Sequence, residues 1–281
     1  MISARRFLGS SALLGLVALS ASWAHAYVPP SEFIIRTMVE KRATLKSIVL
    51  RGSVVGLTSG GGLIGTRFQV ESTFDLASGA MKSRATDDAG RLLFSVVRLG
   101  DRRAHELELR SLVSGLLFEN RSAYLMGTLK TFAIPVRTED ELLKLPTESQ
   151  RRAIEVTSFG RQKLTSGLKV SWVIGQKQGN QLWIEKDSFF PARLIVKSSE
   201  PYDLQFDSFR LVQQVPVPRI ITVSKSSEQL FREEVQDVTI NPPLAGAFDS
   251  LTESGEAFTS QGEAADSDLK DLIRRFYSVL R

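Results

Sequence analysis

The chain has 281 residues, with 36 Lys+Arg against 31 Asp+Glu, 42% hydrophobic residues, two histidines and no cysteine. The length allows one large domain or two small ones, and the apolar fraction excludes wholesale disorder. Without cysteine there are no disulfides, no thiol catalysis and no thiolate zinc sites; with two histidines, most histidine-based metal and covalent chemistry is also disfavoured.

Arg5 and Arg6 form a short positive region, an apolar stretch follows from Leu8 to Leu19, and Ala24-His25-Ala26 has the small-x-small form of a cleavage site. This pattern predicts a secretory signal peptide over 1–26, cleaved after Ala26. A retained anchor helix fits less well, because the apolar run is shorter than the roughly 20 residues that span a bilayer. Loss of the two arginines lowers the net charge from +5 to +3. That mild balance argues against a dedicated nucleic-acid binder, which concentrates positive charge on one stripe. Tyr27, not a cysteine, follows the cut, so the chain is not itself a bacterial lipoprotein.

Pro29-Pro30-Ser31-Glu32 predicts a helix over 31–43 with Ser31 as its N-cap. From Leu45 the apolar residues recur every second position. Phe68, Val70 and Phe74 share one face of a predicted strand. In 104–110, His105, Leu107 and Leu109 share a face opposite Glu106, Glu108 and Arg110. Such alternation predicts half-buried antiparallel strands, with Gly60-Gly61-Gly62, Ser78-Gly79 and Asp88-Ala89-Gly90 as turns. Leu112, Val113, Leu116 and Leu117 have helical spacing, and Thr138-Glu139-Asp140-Glu141 reads as a capping box. The segment from about 111 to 152 is therefore expected to be a helical insert in the sheet. Strands are expected again over 154–159, 168–176, 180–186, 192–197, 204–212, 219–226 and 230–240. Residues 249–267 carry acids and no base, which predicts a flexible linker. An amphipathic helix over 268–281 closes the chain, with Leu269, Leu272, Ile273, Phe276 and Leu280 on one stripe.

The candidate chemistry is thin. His105 lies on the apolar face of its strand, where a core or cavity-wall role outweighs a catalytic one. Glu106 and Glu108 are more simply read as solvated than as a glycosidase pair. Ser166-Gly167-Leu168-Lys169 matches Ser-x-x-Lys, but it precedes a strand rather than opening a helix. Trp172 and Trp183 could be core or could line an apolar cavity. The stronger signal is architectural. Ten or more antiparallel strands make a curved sheet whose concave face must be covered, and few helices are available for that. A broad sheet with movable helical covers can form a hollow for a hydrophobic guest, held at about 0.8 kcal/mol per buried methylene.

Four stretches resemble one family. They are the opening 33–48; Gln181-Leu182-Trp183-Ile184-Glu185-Lys186-Asp187-Ser188-Phe189-Phe190-Pro191-Ala192-Arg193-Leu194; Val217-Pro218-Arg219-Ile220-Ile221-Thr222; and Val235-Gln236-Asp237-Val238-Thr239-Ile240-Asn241-Pro242-Pro243-Leu244. In these the chain is similar to the periplasmic lipoprotein-carrier superfamily, the LolA/LolB-like proteins. The resemblance implies an α+β fold: a large curved antiparallel sheet, an incomplete β-barrel, with covering helices, over residues 27–248. It also implies a periplasmic location and acyl chains of lipoproteins or other lipids as cargo. An inner-membrane transporter and an outer-membrane receptor would be partners, and no metal, cofactor or catalytic residue is implied. The insert and the tail after Phe248 are extra to that pattern.

The leading expectation is thus a monomeric, non-enzymatic carrier for outer-membrane sorting. The predicted lining comprises Phe68, Val70, Phe74, Leu107, Leu109, Trp172, Leu182, Ile184, Leu194 and Val196, with Leu112, Leu116, Leu117 and Phe276 as cover residues. A slip of one residue in strand phase would exchange the two faces. The alternative is an envelope lipid or lipoprotein sensor or adaptor whose terminal helix docks in a partner's groove. A hydrolase of envelope lipids or glycans is the third reading.

Overall fold

The computed structural model describes residues 29–58, 62–99, 109–138, 140–141, 144, 157–164, 167–197, 199–248, 255–259 and 267–280. The signal peptide, His105, Glu106, Leu107, Glu108 and most of 142–156 lie outside these residues. Helix α1 (Ser31–Glu40) precedes a four-strand meander, β1 (Ser47–Leu57), β2 (Leu63–Asp75), β3 (Met81–Thr86) and β4 (Leu92–Leu99). Helices α2 (Leu109–Phe118) and α3 (Ser122–Thr131) follow. A second meander comprises β5 (Thr157–Leu164), β6 (Gly167–Gly175), β7 (Gln181–Glu185), β8 (Pro191–Val196) and β9 (Tyr202–Asp207). A small hairpin, β10 (Arg210–Val212) and β11 (Val215–Val217), leads to β12 (Ile220–Lys225) and β13 (Glu228–Ile240). The chain ends with β14 (Gly255–Thr259) and helix α4 (Ser267–Leu280).

Twelve strands form one antiparallel sheet in the order β14-β4-β3-β2-β1-β13-β12-β9-β8-β7-β6-β5. The two meanders meet where β13 returns to pair with β1, in a register from Ile48↔Ile240 to Gly56↔Phe231. The terminal strands β14 and β5 are far apart in the order, so the sheet is open. This is the α+β architecture expected from the alternation: a broad curved sheet, not a closed barrel. A β-bulge between Arg51 and Gly52 bends β1 against β13. Only glycine fits there, since a Cβ at residue 52 would lie 2.2 Å from the Glu234 carbonyl oxygen.

Several local expectations are corrected. Ser31 is the first helical residue, not the cap; the cap is Pro30. The Ser31 hydroxyl instead accepts from the Arg137 N–H at 2.6 Å and donates to the Arg137 carbonyl at 3.2 Å, tying α1 to the chain after α3. Leu109, expected on a strand, opens α2, because it continues the helical spacing of Leu112, Val113 and Leu116. The expected strand 204–212 breaks at Ser208, whose φ of 57° turns the chain toward the β10–β11 hairpin. The stretch read as a linker contains β14, which pairs with β4 from Gly255↔Leu99 to Thr259↔Ser95. Its acidic composition concealed the strand; the pairing covers an edge of β4 that β3 leaves open. The Thr138 capping box forms as read: Glu141 N–H donates to Thr138 Oγ1 at 3.1 Å, and Thr138 N–H to Glu141 Oε2 at 2.8 Å.

Candidate functional site

Strand alternation places one apolar face on the concave side of the sheet. From β2 it presents Phe68, Val70 and Phe74; from β6, Trp172 and Ile174; from β7, Leu182 and Ile184; from β8, Leu194. The registers align these side chains across the strands: Trp172 stands opposite Ile184, and Leu182 opposite both Ile174 and Leu194. All are buried in one continuous cluster. Each of these predicted positions is buried in that cluster, and Val196 packs at its margin.

The helices cover this face. Leu112, Leu116 and Leu117 of α2 and Phe276 of α4 enter the same cluster, and Leu109 packs at its margin from α2. Helix α4 packs on α2, β2 and β13, while α1 packs on α3. Phe276 is wholly buried and meets the rings of Phe68 and Phe231 edge-on. The terminal helix is thus seated in the chain's own sheet. The expectation that it reaches into a partner's groove is not met in this arrangement.

The sequence reading missed much of the interior. Phe94 and Val96 of β4, Leu204 and Phe206 of β9, Ile221 and Val223 of β12, and Phe231 of β13 are all buried in the cluster. Each lies in a run with period-two spacing, so the signal was present. Ile34, Ile35 and Met38 of α1 and Leu125 and Leu129 of α3 join from the helices. Inside the apolar face two hydroxyls satisfy one another: Ser72 and Ser83, paired across β2 and β3, hydrogen-bond at 2.8 Å.

The broad hollow expected from the sequence is occupied by these helices. A cavity of about 70 Å³ lies at the seam between α2 and the β2–β4 strands, lined by Phe74, Leu76, Met81, Arg98, Phe118 and Glu119, among others; larger clefts of about 430 and 260 Å³ open beside Ile134, Val136 and Asn180 and beside Phe190, Phe206 and Phe209. Next to the first of these the α2–α3 junction is built on Glu119. Its buried carboxylate accepts from the N–H groups of Asn120 and Arg121 at 3.1 and 2.9 Å and pairs with the Arg121 guanidinium at 2.9 Å. Arg42, just beyond α1, is also buried; Nε and Nη1 have no hydrogen-bond acceptor among the described residues. Burial pushes its guanidinium down to about 9, against the upward pull of the Glu119 charge. Among the described residues no group of three His, Asp or Glu side chains is placed to hold a metal ion. No described helix is long and apolar enough to cross a membrane.

No family model matches the chain. No curated protein matches it either. Solved structures of similar architecture include a LolA superfamily protein from Nitrosomonas europaea, 10% identical, covering 80% of this chain and 100% of that one with a TM-score of 0.44. A domain named for outer membrane lipoprotein sorting, from Vibrio parahaemolyticus, is 9% identical, with coverages of 77% and 94% and a TM-score of 0.42. A DUF1329 family protein from Desulfovibrio piger is 11% identical, with coverages of 78% and 95% and a TM-score of 0.42. At these identities the likeness concerns the fold alone.

Proposed function

We propose that the chain is a periplasmic carrier that shelters acyl chains of lipoproteins or other lipids against the concave face of its sheet. The observation that carries the reading is the cover. One continuous apolar face of an open sheet is closed by separate helices rather than by a second sheet. Helices can part from such a face while the strand ladder stays intact, because they are held mainly by non-directional apolar contact. Binding would exchange helix contacts for acyl contacts, so the net affinity is the difference between two burials. No chemical step is needed, and cargo release follows from reclosing of the helices.

The seam between α2 and the β2–β4 strands is where we place the first opening. Phe74, Leu76, Met81 and Phe118 already border space there. The adaptor reading relied on a terminal helix reaching a partner, and α4 is seated in its own sheet. Outer-membrane sorting, an inner-membrane transporter and an outer-membrane receptor follow from the sequence resemblance and belong to the same proposal.

Mass spectrometry of lipids that co-purify from the native envelope tests it, together with titration of a fluorescent acyl probe. Retained diacyl or triacyl species and saturable probe binding are expected. Absence of any retained lipid, with no probe binding even after α4 is removed, would defeat the reading.

A further inference from the structure

The concave face is not covered along its whole length. At the β5–β6 end it continues past the helices as a bare shelf. The large apolar side chains that stand exposed among the described residues are Phe33, Phe159, Leu168, Val170 and Leu211. Three of these five lie on one face of one hairpin, at 42% for Phe159, 68% for Leu168 and 39% for Val170. The register puts them together: Phe159 faces Trp172, Arg161 faces Val170 and Lys163 faces Leu168 across β5 and β6. Directly paired residues share a face in an antiparallel ladder. The shelf is therefore the outward extension of the row that includes Trp172 and Ile184.

Cations rim it. Arg161 and Lys163 are exposed on the same face and form no ion pair among the described residues. Lys186, following β7, stands over the Phe159 and Trp172 rings at 5.5 and 5.6 Å. The acid nearest in the ladder, Glu185, is engaged by Lys169 at 2.6 Å. Residues 157–184 contain four basic residues and no acid, and Asp187 lies beyond them in the next turn. The hairpin also forms the end of the sheet, since β5 is the last strand in the order.

We infer that the β5–β6 hairpin docks on an anionic lipid bilayer. A shelf two strands wide is too flat to wrap a single guest. Protruding apolar side chains with lysine and arginine around them match the two layers of a membrane interface: acyl boundary beneath, anionic headgroups above. Arg161, Lys163 and Lys186 are placed to meet the headgroups while Leu168, Val170 and Phe159 enter the boundary. The inference holds whether or not the covered face carries a lipid, because none of these exposed side chains belongs to the closed interior.

The test is co-flotation of the mature chain with vesicles of phosphatidylcholine alone and of phosphatidylcholine mixed with phosphatidylglycerol. Partitioning to the anionic vesicles, weakened by salt, is expected. Arg161→Ala and Lys163→Ala should each lower it by about 5-fold, and Leu168→Ser by roughly tenfold. The chain has no cysteine, so Leu168→Cys can carry a single environment-sensitive dye. Its emission should shift to the blue on anionic vesicles, whereas the same dye on Leu211→Cys, exposed on β10, should not shift. Melting curves check that each variant is folded, as expected for exposed positions. Absence of vesicle binding, equal binding to both vesicle types, unchanged binding in the variants, or an equal shift at both dye positions would overturn the inference.

Discussion

Phe276 of α4 lies edge-on to Phe68 of β2 with ring centroids 5.4 Å apart, and it meets Phe231 of β13 at 5.9 Å. Edge-to-face pairs of this kind add about 0.5–1.5 kcal/mol each beyond simple burial. Through one side chain the end of the chain is fastened to the middle of the sheet. Leu272, Val279 and Leu280 complete the buried stripe of α4. Phe276→Ala is expected to cost about 3–5 kcal/mol, measured by urea unfolding. If α4 is a cover, the same variant should bind an acyl probe more tightly than the wild type. A parallel loss of stability and probe binding would instead make Phe276 part of the lipid site.

The second prediction concerns Arg42. Its guanidinium is enclosed, and burial outweighs the pull of Glu119. Glu119 does not depend on it, because Arg121 and two backbone N–H groups hold that carboxylate. Replacement of a buried charge by an apolar side chain of similar size is often neutral or stabilising by about 1–4 kcal/mol. Arg42→Met should therefore be as stable as the wild type or more so at neutral pH. The pH dependence has a definite sign. The folded guanidinium titrates near 9, below its value in the unfolded chain. Between those two values the unfolded state binds more protons, so rising pH favours the folded wild type. Below about 9 both states are protonated and the group adds no slope. The advantage of Arg42→Met should hold at neutral pH and shrink as the pH rises past about 9. Paired urea melts of the two proteins measure this, with other titrating groups cancelling in the comparison.

The strand phases were readable because each of Phe68–Phe74, Leu182–Ile184 and Leu194–Val196 alternates over a single uninterrupted run. Burial of one face is sufficient to set that pattern. The open sheet and its covering helices were readable for the same reason. What escaped depends on partners far away in the chain. Gly255–Thr259 is a strand by virtue of the open edge of β4, and no local pattern records that edge. Leu109 fits both a strand period and a helix period, and packing on the cluster decides for the helix. Phe276 was expected as a cover residue, but its ring partners, Phe68 and Phe231, were hidden. An amphipathic stripe specifies that a helix will be buried, not on which surface. The exposed run on β5 and β6 has the same alternation as the buried strands, so sequence alone does not distinguish covered from bare face.

Asn241 supplies a third prediction. It follows β13 with a φ of 51° and closes the junction between α1 and β1. Its Oδ1 accepts from the Lys46 N–H at 2.7 Å and the Ser47 N–H at 3.2 Å, while Nδ2 donates to the Thr44 carbonyl at 2.9 Å. Asn241→Gly keeps the backbone angle and loses the side-chain bonds. Asn241→Ala loses both the bonds and an easy fit to the left-handed region. Each net hydrogen bond contributes about 0.5–1.5 kcal/mol, so Gly should destabilise and Ala should destabilise further by about 1–2 kcal/mol. Equal melting temperatures for the two variants would show that the side-chain bonds alone matter.

Gly52 gives the most local prediction. It sits at the bulge where β1 and β13 shift register, and the two halves of the sheet meet only through that pair of strands. A Cβ there would lie 2.2 Å from the Glu234 carbonyl oxygen and 3.1 Å from the Val235 Cα. The obstruction is backbone, so no side-chain rotation relieves it, and the strands must separate or the register must slip. Gly52→Ala is expected to cost more than the about 1–3 kcal/mol usual for an overpacked core, with amide exchange accelerated along β1 and β13. Gly65, with no atom within 4 Å of an added Cβ, is the internal control on the neighbouring strand. Gly65→Ala should leave the melting temperature within a few degrees of the wild type. Comparable losses from the two substitutions would mean that the cost at residue 52 comes from glycine replacement in general, not from the close approach of β1 to β13 at the bulge.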